Sequence, residues 1–172
     1  TLTAGGEPDD DGDNDSHTNL TVDFGLYQSD TLPAACDLIL RGIVWYDDDE
    51  DGVYHPERES GMDDVAVRLY RDSDISGDFT PGDEFLSDTI TVTVDGEPGR
   101  YAFGSLCEGD YIVQTGPANF DPGSILDGYS NTTGIFVSDY GVIHVITLKA
   151  GSESAADFGF FHAVEEWPMK PF

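Results

Sequence analysis

Nine short runs, each of ten residues or fewer, are rich in β-branched and aromatic side chains and are bounded by Gly, Pro, Asp or Ser. They read LTVDFGLY, DLILRGIVWY, VAVRLY, TITVTV, RYAFGSL, DYIVQT, TGIFVS, VIHVITL and AADFGFF. Apolar residues sustain no helical period anywhere along the chain, so strands are the regular element that the pattern supports. Alternation places Val65, Val67 and Leu69 on one face of their run, and Tyr101 with Phe103 on one face of theirs. VDGEPGR predicts a hairpin between Thr93 and Arg100, and SDYG predicts another before Val142. Seven or eight such strands at short spacing predict an all-β, antiparallel β-sandwich, and a chain of 172 residues with 38% hydrophobic content can fill its core.

An internal repeat sets the expected domain organisation. TLTAGG followed by TVDFGLY within residues 1–27 is echoed by TLKAGS followed by AADFGFF within residues 147–161. Each reads as a strand end, a turn and a final strand. The expectation is a sandwich domain over residues 30–162, a tail over 163–172 and, over 1–29, a β-hairpin resembling the close of a preceding repeat. A lone hairpin is marginal in water, so residues 19–27 need a sheet to join. That sheet belongs either to an adjacent repeat of a tandem array or to another copy of the chain, which would take the segment as a donor strand. A head-to-tail contact of this kind does not close on itself and builds a filament.

Charge narrows the partners. With 35 acidic residues against 7 Lys and Arg, the formal charge is −28, which repels nucleic acid and anionic membrane surfaces. Eighteen of the 35 acids fall in three segments, Glu7 to Asp15, Asp47 to Glu59 and Asp72 to Glu84. Carboxylates crowded in this way call for a cation.

A calcium loop needs oxygen ligands at positions 1, 3 and 5, glycine at 6, a carbonyl at 7 and a late carboxylate. From Asp47 the chain supplies Asp47, Asp49, Asp51, Gly52 and the Val53 carbonyl. Position 12 is Arg58, so the closing carboxylate is expected from Glu59, in a loop one residue longer than standard. DSDISGDFTPGD keeps the standard length, with Asp72, Asp74, Ser76, Gly77, the Asp78 carbonyl, Thr80 and Asp83 at positions 1, 3, 5, 6, 7, 9 and 12. A third candidate alternates Asp9, Asp11 and Asp13, with its glycine out of register. Two calcium ions are expected and a third is a further candidate; magnesium is disfavoured because it keeps several waters.

Cys36 and Cys107 lack the paired spacing of a zinc or redox site; they form one disulfide in an oxidising compartment or remain two buried thiols. Asn14, Asn19 and Asn131 open N-glycosylation sequons, which makes glycans candidate partners. The apolar runs are far short of a membrane span, and no leader-like segment follows Thr1, as expected of a processed chain or a fragment.

GIVWYDDDEDGVYHPERESGMDDVAVRLYRD, GRYAFGSLCEGDYIVQT and the closing DFGFF resemble the B-type repeat domains of serine-aspartate repeat (Sdr) bacterial surface proteins, relatives of collagen-adhesin B domains. The resemblance implies a prealbumin-like or immunoglobulin-like sandwich at the cell surface or outside the cell, binding calcium and acting as a rigid spacer. It assigns Asp47, Asp49, Asp51 and the Val53 carbonyl to the first metal loop, with His55 standing where the family carries an acid or amide. The internal Lys–Asn crosslink of some relatives is not expected here, where the only lysines are Lys149 and Lys170. His17, His55, His144 and His162 show no metal-ligand spacing, and no nucleophile has a recognisable partner, so catalysis is not expected. The function expected is a calcium-stiffened structural subunit of a fibre or stalk. The alternative is an adhesin or carbohydrate-binding module using Trp45, Tyr54, Phe120 and Trp167.

Overall fold

A computed structural model describes residues 36–137, 141–152 and 154–162. The chain divides into two units, Thr1–Pro33 and Ala34–Phe172, and the described residues all belong to the second. The expected N-terminal hairpin with its donor segment 19–27, the acidic group Asp9, Asp11 and Asp13, the sequons at Asn14 and Asn19, and the tail 163–172 with Trp167 lie outside the described residues.

Ten strands are described: β1 Leu38–Tyr46, β2 Ala66–Arg71, β3 Glu84–Ile90, β4 Val92–Val94, β5 Glu97–Leu106, β6 Gly109–Thr115, β7 Tyr129–Asn131, β8 Ile135–Val137, β9 Gly141–Leu148 and β10 Phe158–His162. A single 3₁₀ turn, Pro117–Phe120, is described beside them. The strands form two five-stranded sheets, ordered β4-β5-β1-β10-β7 and β3-β2-β6-β9-β8. This is the expected all-β sandwich, but β1 and β10 run parallel, with Val44 opposite Phe158 and Tyr46 opposite Phe160, and the run TITVTV, expected as one strand, divides at Thr91 between β3 and β4 in different sheets. The first and last described strands thus lie side by side in one sheet, a pairing that alternation within either run cannot specify.

Local chemistry accounts for the rest. In the β4–β5 hairpin Val94 faces Glu97, leaving Asp95 and Gly96 as a two-residue loop with φ of 52° and 87°. Positive φ at both positions is what a type I′ hairpin requires, and Asp-Gly supplies it at little cost. β8 and β9 pair antiparallel with Val137 opposite Gly141; the SDYG connection itself falls partly outside the described residues. Between the sheets, Leu40, Val44, Tyr101, Phe103, Phe158 and Phe160 meet Val67, Leu69, Tyr111, Val113, Val142 and Leu148. Val65, Val67 and Leu69 are fully buried, as their alternation predicts.

β10 is held to its place by three adjacent residues. Asp157 Oδ1 accepts from Ile43 N at 3.0 Å, Phe158 is fully buried in the core, and Gly159 lies against Trp45 and Thr132 with no room for a side chain. Trp45 itself is 2% exposed and meets the ring of Tyr54 at 5.8 Å.

Candidate metal centre

Loop A, residues 47–59, leaves the end of β1, and loop B, residues 72–83, leaves the end of β2. They repeat one construction. Asp47 is fully buried, and its Oδ1 and Oδ2 accept from Asp51 N at 3.2 Å and Gly52 N at 2.8 Å. Asp72, 5% exposed, accepts in the same way from Ser76 N at 3.0 Å and Gly77 N at 2.9 Å. Each loop turns through positive φ at its fourth and sixth positions, Glu50 and Gly52 in loop A and Ile75 and Gly77 in loop B. Glycine at the sixth position therefore answers a backbone demand, and the two main-chain donors orient the first carboxylate before any ion is considered.

In loop B the carboxylate oxygens of Asp72, Asp74 and Asp83 converge within 4.8 Å of one another. Asp83 Oδ1 accepts from Ser73 N at 3.0 Å, and Asp83 Oδ2 from Thr80 N at 2.6 Å. Thr80 Oγ1 lies 3.3 Å from Asp74 Oδ2 and 3.2 Å from Asp83 Oδ2. Ser76 Oγ and the Asp78 carbonyl, the oxygens of positions 5 and 7, are hydrogen bonded at 3.0 Å.

In loop A the converging carboxylates are Asp47, Asp49 and Glu59. Glu59 is 6% exposed; its Oε2 accepts from His55 N at 2.6 Å, whereas Oε1 is buried with no hydrogen-bond partner. A buried carboxylate oxygen without a donor is costly, and a hard cation among all-oxygen ligands would relieve it. Asp47, Asp49 and Glu59 could therefore hold a hard divalent cation.

Asp51 is placed differently. Its Oδ1 accepts from Val53 N at 2.8 Å and its Oδ2 lies 3.0 Å from His55 Nε2, so it groups with Asp49 and His55 rather than with Asp47 and Glu59. The His55 contact and the Val53 amide hold the Asp51 carboxyl below its ordinary range, and Asp51 in turn raises His55. Arg58 Nη2 is ion-paired with Asp49 Oδ2 and lies 3.8 Å from Asp51 Oδ2. Asp48, Glu50 and Val53 are exposed. Sequence reasoning missed the contacts of His55 and Arg58; the only available signal was that both interrupt an acidic run.

The loops lie at opposite ends of the sandwich. β1 begins beside Leu106, Cys36 is bonded to Cys107 just beyond it, and Asp72 N donates to Asp110 O at the start of β6. Loop B therefore flanks the entry to β1. Loop A follows the other end of β1, where Asp47 N donates to Phe160 O in β10.

The remaining described sequence candidates make the following contacts. Asn131 Nδ2 donates to the Thr133 carbonyl at 3.0 Å, and Thr133 Oγ1 donates to the Asp157 carbonyl at 2.8 Å and accepts from Gly159 N at 2.9 Å. That sequon is tied into the β7–β10 edge. Phe120 packs against Phe136 and Phe160, and Tyr54 is half-buried between Trp45 and Arg100. Among the described residues no helix is long and apolar enough to cross a membrane.

The family described as SdrD B-like domain matches residues 40–160. A fibrinogen-binding protein of Staphylococcus epidermidis is 32% identical over 95 residues, which are 55% of this chain and 7% of that protein. The chain thus spans a small part of the curated relative it matches. Among solved structures, the shaft pilin SpaA of Lactobacillus rhamnosus GG aligns at TM-score 0.44 and 12% identity over 72% of this chain and 49% of its own. The major pilin SpaD of Corynebacterium diphtheriae aligns at TM-score 0.42 and 12% identity over 73% of this chain and 32% of its own.

Proposed function

The chain belongs to the SdrD B-like domain family, and from that premise we propose that it is a structural module of an extracellular fibre or cell-surface stalk. In this reading loops A and B each hold a calcium ion, and neighbouring modules join head to tail by strand addition through residues 19–27. The observation that carries the calcium reading is the duplicated loop, in which a buried first aspartate is pre-oriented by two main-chain donors, together with the partnerless Glu59 Oε1. A bound divalent ion supplies the positive charge that the clustered carboxylates lack, and binding to the folded state adds stability by mass action. In this reading the loops, which flank the two ends of β1, stiffen the junctions through which a stalk transmits load.

Support for strand addition comes from what β10 demands of its residues. Asp23, Phe24 and Gly25 repeat the order Asp157, Phe158, Gly159, whose members accept from Ile43 N, fill the core and leave space for Trp45. Residues 21–27 thus carry the residue types needed to act as the last strand of another unit of this fold. The adhesin alternative draws less support, since Trp45 and Phe120 are spent on packing.

Calorimetric titration of chelator-stripped protein tests the metal reading: two calcium sites with weaker magnesium binding are expected, and no heat with either ion would reject it. Electron microscopy in millimolar calcium and after chelation tests the fibre reading. Filaments that fray on chelation are expected, and monodisperse particles in both conditions would reject self-assembly.

A further inference from the structure

Between Asp47 and Glu59 seven acids share the loop with one arginine. That arginine, Arg58, sits at position 12, where a standard loop places its closing carboxylate. The turn that follows His55 explains the exchange. Arg58 N and Glu59 N both donate to the His55 carbonyl, at 3.0 and 2.8 Å, so the extra residue turns the Glu59 side chain inward and leaves Arg58 on the rim, its side chain 48% exposed. From there Nη2 pairs with Asp49 Oδ2 and approaches Asp51 Oδ2 at 3.8 Å. Asp49 also converges with Asp47 and Glu59. One carboxylate is thus shared between the guanidinium and the candidate cation site.

We infer that Arg58 is the counter-cation of loop A: it holds Asp49 and Asp51 when no metal is bound and competes with an incoming divalent ion for them. The inference rests on reading loop A as a cation site. Loop B serves as the internal comparison, having no Lys or Arg between Asp72 and Asp83. The adjacent Arg71 is used elsewhere, lying over the Tyr111 ring at 5.3 Å with Nη2 3.2 Å from its hydroxyl. Loop A therefore keeps its shape without metal and binds calcium more weakly than its acids alone would dictate, while loop B depends more on the ion.

The test is Arg58→Gln in the full chain, with Lys149→Gln as a control that removes one positive charge from an exposed site outside both loops. Calcium titration after chelator treatment should show one of two sites tightened about tenfold, the size expected for removing a unit charge a few ångströms from a divalent ion in a high-dielectric setting. Asp83→Asn, which weakens loop B, identifies the tightened site as loop A. In chelator, Arg58→Gln should melt below wild type and Lys149→Gln should match it. An affinity unchanged within twofold, or weakened, overturns the competition, and an unchanged melt in chelator overturns the counter-cation role. If wild type takes up no calcium, the calcium reading and the competition fall together. The chelator melts still decide whether Arg58 holds the loop.

Discussion

Stretching the domain from its ends probes the part of the fold that the proposed stalk would depend on. β1 and β10 are adjacent and parallel, so force applied before Leu38 and beyond His162 slides one strand along the other and loads their shared ladder together. Cys36 lies two residues before β1 and is bonded to Cys107, 71 residues further on. Once the sandwich yields, the disulfide carries load across that closed loop, and only the 55 residue steps from Cys107 to His162 extend. At about 3.5 Å per residue this releases roughly 190 Å of chain. Reduction, or replacing both cysteines with serine, frees the 71 residue steps between them as well and adds about 250 Å. Single-molecule stretching with and without reductant measures the difference directly. Equal extensions in the two conditions would refute the load path drawn here. The same closed loop has an equilibrium consequence: closing 71 residues removes unfolded-chain entropy worth roughly 4 kcal/mol. The reduced domain should therefore melt lower by on the order of 10 °C.

Three further substitutions separate packing, protonation and charge. Gly159→Ala places a Cβ 2.7 Å from Trp45 Cζ2 and against Thr132 Oγ1, so stability should fall by about 2–3 kcal/mol; a urea midpoint within error of wild type would contradict the tight fit. His144 is packed against Phe158 at 4.7 Å, and burial lowers its pKa from the ordinary 6.5, against smaller opposing effects of the Asp157 main chain and of the Asp157 charge. Below that value the unfolded chain binds a proton that the folded chain resists. The stability linked to His144 is therefore complete above pH 6.5 and declines as pH falls towards the lowered folded value. His144→Phe should flatten this decline in denaturation midpoints between about pH 7.5 and 5.5; slopes that coincide with wild type would exclude the residue as the cause. Glu59→Gln retains an oxygen for His55 N while removing the charge at the partnerless oxygen. Stability in chelator should stay within about 1 kcal/mol of wild type while calcium affinity at one site falls at least tenfold, and unaltered affinity would remove Glu59 from the ligand set.

The features legible in the sequence are those whose causes lie within a few residues. Alternation located the buried face of Val65, Val67 and Leu69, and Asp95-Gly96 announced its hairpin, because pleat and turn are local properties. The two acidic loops were legible for the same reason: the hydrogen bonds of Asp47 and Asp72 span only four and five residues. Trp45 shows where this reasoning stops. It lies one residue out of phase with core-facing Val44 in β1 yet is 2% exposed, because loop A turns back and covers it with Tyr54. Parallel pairing of β1 with β10, and the capture of Asp49 by Arg58, likewise depend on chain geometry that no short window records.

The repeated Asp-Phe-Gly is informative because it reverses that limit. Nothing local demands those three residues in β10: Asp157 answers the amide of Ile43, 114 residues away, and Gly159 answers the bulk of Trp45. Under the proposed strand addition, the recurrence of the trio at Asp23, Phe24 and Gly25 would be met by a strand like β1 that offers a free amide and an indole. A peptide covering residues 19–27 should therefore block the proposed association of the full chain, and the same peptide with Gly25→Val should not. Equal inhibition by both peptides would show that the segment is recognised without the close approach that Gly159 makes to Trp45.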